Sequence, residues 1–159
     1  MSEHKQPEVT IDGVEVTPLA YHHDERGWLA EIYRNDELPV RPVMGYVSRT
    51  HPGVARGPHE HRQQADVFIF MGPSTFRLYL WDNRPHSPTY GRHMRLDAGE
   101  GWPARVVVPA GVVHAYRNVG SGEGIVINCP DRLYAGEGRR EPVDEIRWED
   151  DPSGRFRLD

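Results

Sequence analysis

Gly and Pro, 16 and 14 of them in 159 residues, break this chain about every eight to twelve positions. No stretch between the breaks keeps a helical apolar period for twelve residues or more, so long helices are excluded as the building material. What lies between them is short and β-rich: residues 28–33, 45–50, 66–71, 75–81, 105–108, 112–118 and 124–128. Short strands at regular spacing with turn residues between them predict an all-β sandwich or barrel with few short helical turns. The run Thr75-Phe76-Arg77-Leu78-Tyr79-Leu80 alternates as a half-buried strand must. Residues 66–71 are apolar on both faces instead. Such a strand is expected between a core and a cavity, or between a core and another subunit.

No repeat, linker or low-complexity stretch divides the chain, and its length suits one domain spanning 1–159. Residues 1–10 and 153–159 read as flexible tails. The charged, irregular stretch 136–159 is expected to lie over the barrel as short turns. The net charge of −5, with no basic block, argues against a nucleic-acid partner. No apolar run reaches the length of a membrane span. The N-terminal eight residues are polar, without the apolar core of a secretion signal. Cys129 is the only cysteine, so no internal disulfide can form, which suits a reducing cytoplasm.

Two clusters could carry chemistry. In Arg56-Gly57-Pro58-His59-Glu60-His61, a strand would point His59 and His61 to one face, since i and i+2 share a side. In the stretch from Pro109 to Asn118, a Pro–Gly turn delivers His114 to a strand of its own. Two imidazoles from one strand and a third from another could hold a divalent metal at His59, His61 and His114. The same three could instead line a metal-free pocket, one of them serving as a general base near neutral pH. His4, His22, His23, His86 and His93 are read as surface residues. Trp81, Trp102 and Trp148 are read as packing aromatics, Asp131, Arg132 and the acidic run 149–151 as solvated, and Cys129 as a buried structural thiol.

The order Gly53, His59/His61, Gly72, then Pro109, Gly111, His114 and Asn118 resembles the two cupin motifs. Where metal-binding cupins carry a Glu, this chain has Ala65, flanked by Gln64 and Asp66; Gln64 or water is then the expected fourth ligand. Within that superfamily, five segments in order resemble the dTDP-4-dehydrorhamnose 3,5-epimerases and related dTDP-sugar isomerases. They are 24–31 (DERGWLAE), 53–59 (GVARGPH), 87–91 (SPTYG), 108–116 (VPAGVVHAY) and 146–152 (IRWEDDP). The resemblance implies a jelly-roll β-barrel, a homodimer, and a nucleotide-sugar substrate with a 4-keto group, with no cofactor required. It implies His59 as the base that removes a proton beside the ketone, and His114 as a histidine of the sugar pocket. Arg56 would pair with the diphosphate, while Arg26 and Glu31 would contact the nucleotide from the neighbouring subunit. Gln64 and Asn128 fall at positions expected to face substrate.

Three positions depart from the family pattern. Its enolate-steadying lysine falls on Ala65, its proton-returning tyrosine on Asn128, and its base-orienting aspartate beyond the present C-terminal segment. The pattern Arg-Gly-x-His-x-His also resembles dTDP-sugar 3,4-ketoisomerases, in which His59 and His61 would share the acid and base roles. Three functions follow: an epimerase or isomerase of a dTDP-4-keto-6-deoxyhexose, a metal-dependent cupin enzyme acting on another carbonyl or enol, and a homologue that binds a nucleotide sugar without turning it over.

Overall fold

A computed structural model describes residues 6–159. The sequence segment that holds His4 and the first half of the expected N-terminal tail lies outside them. Twelve strands follow in chain order: β1 Glu15–Pro18, β2 His22–Asp24, β3 Gly27–Leu29, β4 Tyr46–Thr50, β5 Ala55–Glu60 and β6 Asp66–Phe70, then β7 Thr75–Asp82, β8 His93–Gly99, β9 Ala104–Val108, β10 Val112–Asn118, β11 Gly124–Asn128 and β12 Ile146–Arg147. Two five-stranded sheets form, in the orders β1-β9-β6-β11-β4 and β12-β5-β10-β7-β8, while β2 and β3 make a separate hairpin. The expected all-β jelly-roll is what forms, as two facing antiparallel sheets that do not close into a continuous barrel, and their β-branched and aromatic runs suit half-buried strands.

The core lies between the sheets. β6 contributes Phe68 and Phe70, β7 contributes Phe76, Leu78 and Leu80, and β8 contributes Met94, Leu96 and Ala98. Strand β8 was missed by sequence reading because His93, Arg95 and Asp97 alternate with those apolar residues on its solvent face. The second apolar face of β6 packs Val67 and Ile69 against Leu19, Ile32, Tyr33, Leu38 and Val40 of the same chain. A subunit contact is therefore not what makes that strand two-faced. Segment 19–40 does the covering, and the strand expected over 28–33 ends at Leu29 because the chain turns to pack there.

The C-terminal stretch lies over the sheets as short turns, as expected, but its end is not free. Residues 153–159, read as a tail, lie against the outer face of β7: Phe156 packs on Trp81 and Trp148, and the hydroxyl of Tyr79 donates to the carbonyl of Asp159 at 3.0 Å. Trp148 donates its indole N–H to Glu60 at 2.7 Å. These contacts hold β12 along β5, with Arg147 opposite His59 in register.

One buried acid organises the link between β7 and β8. Asp82, 2% exposed, accepts from the Arg84 guanidinium, the Ser87 hydroxyl and the Thr89 hydroxyl, the last two at 2.6 Å each. Burial opposes its charge, but these donors outweigh burial and hold the carboxyl far below the usual carboxylate range. Its folded pKa is depressed, so its stabilisation is present at neutral pH and lost as pH falls below the unfolded value near 4. Asp82→Asn should cost about 2–3 kcal/mol at pH 7, with a gap to the wild type that narrows in acid. Urea melts of both proteins at pH 7 and below pH 4 check this.

Candidate active site

Strand β5 reaches the site through a bulge. His59 pairs with His114 of β10, but Arg56 pairs with Tyr116, so Gly57 and Pro58 of β5 together face the single residue Ala115 of β10. Gly57 occupies the bulge at φ +89°, and a Cβ there would lie 2.7 Å from the carbonyl oxygen of His114. Only glycine allows that approach. The bulge sends His59 and, just past the strand end, His61 to the same cavity that His114 enters from β10.

That cavity holds about 440 Å³ and is walled by Tyr46, Ser48, Arg56, Phe68 and Tyr116 besides the three histidines. Glu145, Arg147 and Glu149 close one side. It adjoins a larger cleft of about 860 Å³, with Tyr46, His61 and Glu145 common to both walls.

His59 lies at the mouth. Its Nε2 is 2.7 Å from Oε1 of Glu149, and its Nδ1 is 3.5 Å from Glu145. Arg147 pairs with the same Glu149 oxygen at 2.7 Å. Glu149 was read as part of a solvated acidic run. The structure corrects that: β12 brings it to the imidazole. The short contact requires the ring hydrogen on Nε2, since an ionised carboxylate only accepts, and leaves Nδ1 with its lone pair in the neutral ring.

The floor is a different unit. Asp66, 1% exposed, lies at the start of β6 with its Oδ2 3.1 Å from Nε2 of His61 and 3.3 Å from Nε2 of His114. Its other oxygen, Oδ1, accepts from Gln64 at 2.8 Å and Asn128 at 2.9 Å. Burial would lower the pKa of His61, but the Asp66 carboxylate more than reverses this and raises it to about 9. For His114 burial wins over Asp66, and its pKa falls to about 4. The floor thus carries a cationic and a neutral imidazole on one carboxylate. Above it, Asn128 donates to the Tyr46 hydroxyl at 2.9 Å, and Tyr46 is its register partner on β4. Burial raises that phenol to about 12, which keeps it protonated.

The remaining sequence expectations divide. His59, His61, His114 and Arg56 meet in one cavity. The expected metal set of His59, His61 and His114 does not converge. The groups that do are His61, Asp66 and His114, with ligand atoms within 4.8 Å of one another. Gln64 and Asn128, expected on substrate, both donate to Asp66, and Gln64 also lines the larger cleft. Arg26, on the hairpin of β2 and β3, pairs with Asp24 and is 85% exposed, and Glu31 lines a small cavity beside Arg34; neither reaches the histidines within this chain. Asn118 is a structural clip, donating to the carbonyls of Thr50 and Gly122 and accepting from Ser74 and Gly120. Asp131 caps the Ala65 amide at 2.8 Å, and burial pushes the Cys129 thiol up, as a structural thiol requires. Sequence reading missed Asp66 and Glu149. Asp66 had only its place beside Ala65 to mark it, and Glu149 had no signal beyond its charge.

Comparison with known proteins identifies the family. The profile of the family described as dTDP-4-dehydrorhamnose 3,5-epimerase matches residues 8–154. This chain belongs to that family. It is 32% identical to the spore coat polysaccharide biosynthesis protein SpsL of Bacillus subtilis over 145 residues, which are 91% of this chain and 94% of that one. It is 36% identical over 128 residues to the "Probable low-salt glycan biosynthesis epimerase" of Haloferax volcanii, covering 78% of this chain and 81% of that one. Among solved structures of the family fold, a dTDP sugar isomerase from Desulfovibrio desulfuricans superposes with a TM-score of 0.82 at 20% identity, covering 96% and 94% of the two chains. A 3'-monoepimerase from Streptomyces bikiniensis, in complex with dTDP-quinovose, gives 0.76 at 21% identity over 87% and 71%. These two structures establish the shared epimerase-family fold.

Proposed function

We propose that this chain is an isomerase that epimerises a nucleotide-linked 4-keto-6-deoxy sugar, a dTDP-sugar by analogy with its relatives. The observation that carries the reading is the His59–Glu149 pair at the mouth of a cavity whose floor holds a cationic imidazole. Glu149 keeps the hydrogen on Nε2, so Nδ1 of His59 removes the proton from the carbon beside the ketone. The C–H electron pair moves into the new C–C double bond, and charge develops on the ketone oxygen. His61, held protonated by Asp66, faces that charge in a low-dielectric floor where it is most effective. Re-protonation of the carbon from the opposite side inverts it. Tyr46 would supply that proton, a role supported by its place on the cavity wall and by the Asn128 donation to its oxygen, which leaves its own O–H free to donate. Solvent then restores the proton on Tyr46 and takes the one on His59.

The adjoining cleft supplies room for the nucleotide, and Arg56 on the cavity wall suits the diphosphate. Homodimerisation would bring a neighbouring hairpin, with its Arg26, and cover the exposed apolar residues Trp28, Leu29 and Val47. Among the described residues no helix is long and apolar enough to cross a membrane. A nucleotide-sugar substrate and a single unpaired cysteine suit a cytoplasmic enzyme.

Incubation with a dTDP-4-keto-6-deoxyhexose in deuterated water tests this. Uptake of deuterium beside the ketone is expected, and its absence from a well-folded protein would sink the reading. Glu149→Gln should lower kcat by about 10–100-fold with KM nearly unchanged, since it orients the base without touching substrate. A change confined to KM would remove Glu149 from that role.

A further inference from the structure

We propose that the Glu60–Trp148 hydrogen bond fixes the register of β12 on β5, which makes Glu60 and Trp148 the positioning residues of the His59–Glu149 pair. Strand β12 is the outermost strand of its sheet and only two residues long, with Ile146 opposite Glu60 and Arg147 opposite His59. Side chains alternate along such a segment. Glu145, Arg147 and Glu149 therefore face the cavity, while Trp148 points to the other side of the sheet. Strand β5 alternates in the same way, so His59 enters the cavity and Glu60 meets Trp148 behind it. A slip of one residue would exchange the two sets and withdraw Glu149 from His59. Two register pairs at an open sheet edge offer little resistance to that slip.

What resists it lies behind the sheet. Glu60 is 8% exposed, and one oxygen, Oε2, accepts from the Trp148 indole at 2.7 Å and from the Asn83 amide at 3.0 Å. Arg155 closes the circuit: it donates to Oδ1 of Asn83 at 2.8 Å, and its guanidinium lies over the Trp148 ring at 5.5 Å. Phe156 packs edge-on against the same ring at 5.0 Å. On the front, Arg147 makes ion pairs with Glu145, Glu149 and Asp150, and its side chain is 53% exposed. Water and salt screen such pairs, whereas a buried carboxylate that loses its donor has no substitute. Asp144 pins the entry to β12 by accepting from the amides of Arg62, Gln63 and Gln64. The exit, where Glu149 sits, depends on Trp148.

The test is Trp148→Phe in the full-length protein, which keeps an aromatic ring for Phe156 and Arg155 but removes the donor. Its first readout is the Nε2-bound hydrogen of His59 in ¹H–¹⁵N spectra at neutral pH. Held by Glu149, that hydrogen is expected as a slowly exchanging signal in the wild type, with solvent exchange at least about tenfold faster in Trp148→Phe. Deuterium uptake into a dTDP-4-keto-6-deoxyhexose is the second: kcat should fall about tenfold with KM within about twofold. In a Glu149→Gln background the same substitution should change kcat by less than about twofold, since both act through one contact. Glu60→Gln, which keeps an acceptor, should retain about a third or more of kcat, and Glu60→Met should match Trp148→Phe. General loss of structure would instead make the losses additive. An unchanged His59 signal in Trp148→Phe, or additive losses with Glu149→Gln, would overturn the proposal. If Trp148→Phe does not fold, hydrogen exchange in the wild type decides: the Trp148 indole N–H must be protected, and its rapid exchange overturns the bond. The turnover effects rest on the proposed epimerase activity, but the His59 signal does not. A wild type that takes up no deuterium refutes only the activity. A wild type that does, with Trp148→Phe indistinguishable from it, refutes only the register lock.

Discussion

Replacing His59 by asparagine should reduce deuterium uptake into a 4-keto sugar by about 10³-fold, the scale of a lost general base. Asparagine retains a polar group toward Glu149 but has no nitrogen that accepts a proton at neutral pH. His59 is partly buried at the cavity mouth, its side chain 21% exposed, and asparagine is smaller and polar, so the melting temperature should stay within about 3 °C of wild type. Affinity for dTDP alone should change by less than about threefold, because the proton transfer and not the nucleotide is what His59 serves. Retention of a tenth or more of the wild-type exchange rate would place the base elsewhere.

Gly57→Ala should damage both the fold and the site. An added Cβ meets the His114 carbonyl oxygen at 2.7 Å and the His59 amide nitrogen at 3.1 Å, and the φ of +89° is strained for any side chain. The clash is with backbone, which cannot swing away, so β5 must part from β10. A cost of about 2–4 kcal/mol is expected, lowering the melting temperature by about 5–15 °C. Since the same bulge aims His59 and His61, exchange should fall by more than tenfold even at temperatures where the variant is folded. A variant that melts within about 2 °C of wild type and exchanges normally would show that the strand pairing does not depend on Gly57.

Much of the architecture was legible because strand patterning is local. Strands β6, β7, β10 and β11 appear in the sequence within a residue or so of their ends, each marked by β-branched and aromatic residues between turn residues. Strand β8 stayed hidden, since charges on its wet face masked the apolar alternation. The reading of residues 153–159 as a tail failed for a different reason. Phe156 and Asp159 find partners only on β7, far away in sequence, and no local pattern announces such contacts.

The site divides along the same line. Residue type and spacing were enough to select His59, His61 and His114, to send them to one cavity and to suggest proton transfer beside a carbonyl. Tertiary structure alone decided how they differ. The pairing of β12 with β5 brings Glu149 to His59, and the entry of β6 beneath β10 sets Asp66 between His61 and His114. Imidazoles are alike in sequence. Their tautomers, charges and partners depend on burial and on carboxylates and carbonyls that arrive from distant segments, which only the folded chain brings within reach.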